Sequence, residues 1–268
     1  MTDRYIKAIQ QLGSSQLSVR IGGVYALERI MHDSPADHAA IVEVVIAFIR
    51  EHATVPSEEQ LLQRQKLPPA LRFRPPTDVE AGLAVLRRRP DREESGPIDL
   101  AGAYLVGAEL RGARLNGANL IDTNLAFAKL TGAHLPDVRL DRADLRAAWL
   151  NRAMLDGAHL TQARLPAAHL TGASLRGADL KLIDQAGSAS FVDADLTGAN
   201  LSNARLSEAD WTRTRLDEAL LYQTHLEGAD LRQVMGLTHE QISHAVTDST
   251  TQLPDWLANP PAPEAAGD

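Results

Sequence analysis

Cysteine is absent from all 268 residues, which excludes a disulfide scaffold and Cys-ligated zinc and suits a reducing cytoplasm. No stretch has the form of a secretory signal or a membrane span. The most apolar run, Ala39 to Ile49, is too short and carries Glu43, so it reads as a buried helix of a soluble protein. An excess of positive charge is also missing: the net charge is -8, which favours solubility and argues against a broadly basic nucleic-acid binder. No phosphate-binding loop, dinucleotide fingerprint, nucleophile elbow or zinc-protease helix occurs, and this argues against an enzyme.

What the chain does contain is a leucine every five residues. Leu100, Leu105 and Leu110 begin a series that reaches Leu180 with 17 leucines in 17 places, and the residue two before each is Ala in 14 of them, with Ile98, Thr123 and Val138 the exceptions. The pattern resumes one residue out of step at Phe191 and runs through Leu196, Leu201, Leu206, Trp211, Leu216, Leu221 and Leu226 to Leu231. A repeat of this regularity is read before anything else.

The period restricts the fold. On an α-helix a step of five advances about 500°, which scatters the leucines round the cylinder. On a straight strand an odd period flips every second pair to the opposite face. The pattern is satisfied if the chain bends once per repeat. Ala-x-Leu then forms a short inward side and the next two residues turn the corner, where Gly stands at 102, 107, 112, 117, 132, 157, 172, 177, 198 and 228. Four sides close a square coil, and coils stack about 4.8 Å apart into a rod. The slip near residues 186–188 is expected to be a bulge or small loop that leaves the stacking intact.

The units Ala118-Asn119-Leu120, Ala143-Asp144-Leu145, Ala178-Asp179-Leu180, Ala194-Asp195-Leu196 and Ala229-Asp230-Leu231 give the chain its resemblance to the bacterial pentapeptide-repeat proteins. That resemblance implies a right-handed quadrilateral β-helix over 97–235. Fold does not fix activity.

The flanks read as follows. Residues 1–55 form an α-helical region of three helices, the third opening with Ser34 as N-cap and Pro35 at the first helical position. Gly22 and Gly23 inside the second helix point to close helix contact. The segment Val19 to Ile30 resembles the helical stretch preceding the repeats in one subgroup of the family, and loosely a HEAT hairpin. Residues 56–96 form a Pro/Arg-rich connector, in which the Thr77 and Glu80 spacing reads as a capping box for a short helix that covers the first coil. Its basic residues, 64, 66, 72, 74, 87, 88, 89 and 92 against acids 78, 80 and 91, are read as a solvated face in preference to a nucleic-acid or lipid-headgroup patch. Residues 236–257 form a C-terminal cap helix and tail, with a capping box from Thr238 to Gln241, and 258–268 are read as disordered. In related proteins such a C-terminal helix also makes homodimers.

No catalytic, cofactor or metal site is expected. Counting four repeats per coil puts His134, His159 and His169 on three sides, with His225 sharing a side with none of them, so they do not converge on a metal. Function is therefore assigned to the outer surface, as a non-enzymatic scaffold for an unknown protein partner. Lys129, Trp149 and His169 are expected to stack on one side in consecutive coils, with Met154 and Tyr104 as further outward groups, since exposed aromatics are enriched at interaction hot spots. The alternative implied by the resemblance is DNA gyrase binding, in which an acidic β-helix imitates duplex DNA and protects against quinolones. That imitation needs phosphate-like charge density. Residues 97–235 hold 17 acids and 14 bases, only 3 net negative, and the expected columns Asn119, Arg139, His159, Asp179 and Asn124, Asp144, Arg164, Asp184, Arg205 are of mixed sign.

Overall fold

The computed structural model describes residues 2–68, 72–180, 191–207 and 209–258. The chain opens with α1 (Thr2–Leu12), α2 (Leu17–Asp33) and α3 (His38–His52). Pro35–Asp37 form a separate 3-10 turn, so α3 starts at His38 and not at Pro35. The Ser34 amide closes α2 by donating to the Ile30 carbonyl at 2.8 Å, and its side chain caps nothing. Of the two glycines in α2 only Gly23 is a contact: a Cβ there would lie 2.9 Å from the Ala8 carbonyl oxygen and from Gln11 Cβ of α1, while Gly22 faces open space. Gly22→Ala is therefore expected to raise stability by about 0.5–1 kcal/mol and Gly23→Ala to lower it by about 1–3 kcal/mol. Thermal unfolding of the two variants, which should shift in opposite directions, checks this.

The connector is more ordered than its prolines suggest. Helix α4 (Glu58–Gln65) starts at a reciprocal capping box, with the Gln60 amide donating to Ser57 Oγ and the Ser57 amide to Gln60 Oε1, and it buries none of its residues. Helix α5 (Thr77–Arg88) buries Val79, Leu83, Val85 and Leu86 and packs on α2 and α3. The capping box from Thr77 to Glu80 does not form, because Pro76 occupies the N-cap position and Thr77 is already helical. Asp78 takes over part of that role: it accepts from the Val79 amide at 3.0 Å and pairs with Arg20 of α2 at 2.7 Å.

Three of the connector's basic residues, Arg88, Arg89 and Arg92, are anchors, which corrects their reading as a solvated face, while Lys66, Arg72 and Arg74 are exposed. Arg92 Nη1 donates to the Met31 carbonyl at 2.7 Å at the end of α2, Arg88 pairs with Glu28, and Arg89 is 5% exposed. An arginine carries five donors in a planar fork, so it can satisfy carbonyls on several elements at once. Arg89 does so, donating to the Leu86 carbonyl (2.6 Å), the Arg114 carbonyl of the first coil (2.9 Å) and the Glu94 carboxylate (2.5 Å).

From Ile98 onward the chain is a solenoid. Parallel bridges join residues 20 apart, Asp99 to Asn119, Tyr104 to Asn124 and so on, so four repeats make one coil. Each side contributes one bridged residue, and no longer strand forms among the described residues. The described repeats close through a four-residue turn, as where the Ala108 amide donates to the Leu105 carbonyl at 3.0 Å. In nearly all of them the third residue has positive φ, Gly107 at 71° and Gly112 at 61°, as a type II turn requires, with Gln233 in the last repeat an exception. Non-glycines such as Asp122, Phe127, Ala147 and Ala167 are held in the same left-handed region by the ladders on either side. The preference for Asp or Asn before the leucine has a local cause. The side chain accepts the amide two residues on, as Asn124 does from Ala126 (3.1 Å) and Asp210 from Thr212 (3.0 Å).

Inside, leucine stacks on leucine with alanine beside it, nearly all buried. Thr123, Thr214 and Thr224, at alanine positions, each donate a hydroxyl to a main-chain carbonyl of the coil below, so the dry interior holds no unpaired hydroxyl there. Phe191 and Trp211 replace leucine in one ladder and stack 4.9 Å apart.

The slip at 186–188 lies outside the described residues, but bridges span it: His169 to Asp195, Ser174 to Asn200 and Asp179 to Arg205, each 26 apart where 20 is usual. The coil therefore holds six extra residues. This moves Arg205 onto the side of Asp179, not that of Asn124, and puts His225 on the side of His159, three levels above it. Asp184 and residues 259–268 are likewise outside the described residues.

Both open ends are covered. The Tyr104 amide, which in later coils would donate to the coil below, donates to the Ala53 carbonyl after α3 at 2.7 Å. The Arg114 carbonyl is taken by Arg89, as above. At the other end Val246 and Gln252 pair with His225 and Asp230, completing a last coil that carries no repeat sequence. Helices α6 (His239–Ser243) and α7 (Asp255–Ala258) flank it, and the Thr238–Gln241 capping box is made with both bonds. Asp248 accepts from the Thr250 hydroxyl and from the Thr250, Thr251 and Gly228 amides, which holds its carboxyl down at about 2.

His38, at the start of α3, is 1% exposed with neither ring nitrogen hydrogen-bonded. Burial depresses its pKa below 6.5, opposed by Glu94 and aided by Arg92, Arg89 and Arg114. The unfolded chain therefore binds a proton that the folded chain refuses, so stability falls as pH drops below about 6.5. The stability difference between His38→Gln and wild type should move in favour of the variant between pH 7.5 and 5.5, measured by urea unfolding.

Candidate partner-binding face

The four sides of the coil carry different outward residues. Side one bears Asp99, Asn119, Arg139, His159, Asp179, Arg205 and His225; side two Tyr104, Asn124, Asp144 and Arg164. Side three runs Glu109, Lys129, Trp149, His169, Asp195, Arg215 and Met235, and side four Arg114, His134, Met154, Ser174, Asn200 and Leu220. The backbone periodicity thus brings Lys129, Trp149 and His169 together on consecutive coils, with Met154 across the next corner. Tyr104 is not part of this group. It lies on side two in the first coil, beside the end of α3 that holds its amide.

Trp149 and Met154 are 49% and 40% exposed, so both leave apolar area in water on a rigid frame. The Trp149 indole stacks on the His169 ring with centroids 4.8 Å apart, which restricts its rotamers. Between Trp149 and Met154 the corner carries Arg152, exposed and with no carboxylate partner among the described residues. From the sequence, Arg152 was not singled out, and His134 was weighed only as a metal ligand. Their phase in the repeat marked them as outward, but their positions beside Trp149 and Met154 follow only from four repeats per coil.

At the foot of side three, helix α5 leaves a cleft of about 300 Å³ lined by Tyr25, Arg74, Glu80, Glu109 and Lys129, among others. Glu109 Oε2 lies 3.4 Å from Lys129 and 3.5 Å from Arg111. Burial pushes the Glu80 carboxyl up, Glu109 adds to this, and Arg74 and Lys129 oppose it. A second hollow, of about 450 Å³, lies between Leu220, Tyr222 and Gln241 near the last coil. Neither brings a nucleophile to a base. Among the described residues no group of His, Asp and Glu could hold a metal ion, and no helix is long and apolar enough to cross a membrane.

Many of the array's carboxylates are already engaged. Asp122 and Arg142, and Asp193 and Arg213, form two-pronged pairs across adjacent coils, with bonds of 2.6–2.7 Å. Asp144 and Asp230 pair with Arg146 and Arg232 two residues on. The arginine guanidinium draws the Asp122, Asp193 and Asp230 carboxyls below their usual range.

Comparison with known proteins agrees with this geometry. The family described as pentapeptide repeats matches in eight copies, over residues 98–137, 118–155, 143–181 and 189–234. Among solved structures, Rfr23 from the cyanobacterium Cyanothece 51142 is 26% identical over 48% of this chain and 66% of its own, with a TM-score of 0.30. HetL, involved in heterocyst differentiation regulation in the cyanobacterium Nostoc sp. strain PCC 7120, is 27% identical over 59% of this chain and 81% of its own, with a TM-score of 0.29. QnrB1, a plasmid-mediated fluoroquinolone resistance protein, is 15% identical over 60% of this chain and 91% of its own, also with a TM-score of 0.29. No curated protein matches. Five-residue period, four-repeat coil and family match agree, and the chain is a member of the pentapeptide-repeat family, with its repeats between residues 98 and 234.

Proposed function

We propose that the protein is a non-enzymatic interaction scaffold, a right-handed quadrilateral β-helix that presents sides three and four to a protein partner. The observation that carries this is the exposed pair Trp149 and Met154, which adjoin on one coil of a rod whose interior is closed by leucine and alanine; the other exposed large apolar groups of the rod, Phe127, Leu220, Tyr222 and Met235, stand on other coils. Exposed aromatic groups held rigidly lose little entropy on binding, which is why they recur at the centre of interfaces. Lys129 and His169 flank Trp149 on this reading, and Tyr104 serves the junction with α3. A homodimer through the C-terminal segment is a separate proposal that this face does not need.

Gyrase binding by DNA imitation is the less favoured reading, because carboxylates that hold turns or pair with arginine do not offer the free charge density of phosphates. A supercoiling assay with purified DNA gyrase, with and without a fluoroquinolone, is expected to show neither inhibition nor protection. Inhibition or protection at low micromolar protein would put gyrase first. For the scaffold itself, a photo-crosslinking residue at position 149 should give a discrete adduct in cells where the same residue at position 139 gives none. Equal labelling from both positions would sink the choice of face.

A further inference from the structure

Charge is sorted by side along this rod. Over the first four coils, sides three and four and the corner between them carry Arg111, Arg114, Lys129 and Arg152 against a single acid, Glu109. That acid is shared between Lys129 and Arg111. The carboxylates that make the whole chain negative, -8 in net charge, lie elsewhere. Side one has Asp99 and Asp179, side two Asp144, and the corner between them Asp122 and Asp141. The corner between sides four and one holds Asp137 and Asp156 beside the strip, and the Asp156 carboxylate is engaged, accepting from the Ser174 hydroxyl and the Arg176 amide. The acid-poor strip ends at Asp195, whose carboxylate accepts from the Thr171 hydroxyl and the Thr197 amide.

Inside this strip the apolar and cationic groups alternate at fixed positions. Arg152 stands at the corner with its stem over the next coil, since a Cβ on Gly172 would lie 3.7 Å from Arg152 Cγ. Arg152 thus belongs to the corner between the side of Trp149 and that of Met154, and Lys129 lies one coil below Trp149.

We propose that this strip binds a short acidic, apolar segment of a partner protein, an extended stretch in which carboxylates flank one or two apolar side chains. This rests on the scaffold reading above and names the chemistry of the partner. Trp149 and Met154 cover the apolar groups, while Arg152 and Lys129 take the carboxylates. Guanidinium binds carboxylate through two parallel bonds, and it costs least to desolvate of the cationic side chains. From Glu109 to His169 the strip spans three coil spacings, about 14 Å, which matches about four residues of extended chain. Single-stranded nucleic acid would also meet cations and an aromatic ring. Platforms for it, however, stack successive bases on several aromatics, and Trp149 is the one exposed aromatic on these sides in the first four coils.

The test uses the full chain with two short synthetic peptides, one alternating aspartate with leucine and the other lysine with leucine, and a single-stranded oligothymidylate, each titrated by fluorescence anisotropy. The aspartate peptide is expected to bind about tenfold or more tightly than the lysine peptide. Arg152→Glu and Trp149→Ala should each weaken it about tenfold or more, and Arg139→Glu on side one should leave it unchanged. Circular dichroism should confirm that all three variants keep the wild-type fold, since all three residues point outward. Preference for the lysine peptide, failure of both peptides to bind, or insensitivity to Arg152→Glu would overturn the proposal. Tighter binding of the oligothymidylate with the same dependence on Trp149 and Arg152 would also overturn it, in favour of a nucleic acid. If the crosslinks from position 149 find a protein whose contacting segment is not acidic, the scaffold reading stands and this inference falls.

Discussion

Leu155→Ala is expected to lower the free energy of unfolding by about 2–5 kcal/mol, and Arg139→Ala by less than about 0.5 kcal/mol. Leu155 is 1% exposed and lies in the ladder between Leu135 and Leu175, so truncating it leaves a hole with leucine above and below. The ladders restrain any collapse, because each coil is bonded above and below by amides such as Leu155 to the Ser174 carbonyl at 2.6 Å. In a stacked rod the loss is felt chiefly at the two adjoining interfaces. Urea unfolding followed by circular dichroism measures both variants, and equal losses at the two positions would refute the inward and outward assignment.

Arg89→Ala should be comparably severe, at about 3–5 kcal/mol, for a different reason. One buried guanidinium serves the Leu86 carbonyl, the Arg114 carbonyl and the Glu94 carboxylate. Its removal leaves an acid without its partner and two carbonyls without a donor, and the Arg114 carbonyl belongs to the open edge of the first coil. The damage should therefore be local in hydrogen exchange. Amides of the first coil and of the end of α5 should lose protection, while those around Leu155 keep it. Uniform loss along the chain, or none, would contradict the assignment of Arg89 to the junction.

The repeat was legible because its period is incompatible with both regular alternatives. A leucine and an alanine that must both face inward every five residues leave the chain only a bend per repeat, and Asp or Asn before the leucine supplies the turn bond. The stack Lys129, Trp149, His169 follows from the same arithmetic. The arithmetic failed at Arg205 and His225. Bridged partners across this stretch stand 26 apart where 20 is usual, and that number sets which side each later residue occupies, whereas the one-residue slip in the pattern does not reveal it. Tyr104 is half-buried at its outward position, and nothing in the repeat says that its amide meets the carbonyl of Ala53 where a preceding coil would be.

By itself, then, the sequence determined the coil: its period, its leucine and alanine interior, its turn-forming corners, and which residues point outward. These follow from interactions within a repeat and between neighbours at constant spacing. Only the tertiary structure decided the ends and the faces. Val246 and Gln252 complete a coil with no repeat motif, because a main-chain ladder asks for backbone geometry and not for particular side chains. Arg89 and Arg92 became anchors because their partners are carbonyls of distant residues, and the main chain presents the same carbonyl at every position in a sequence.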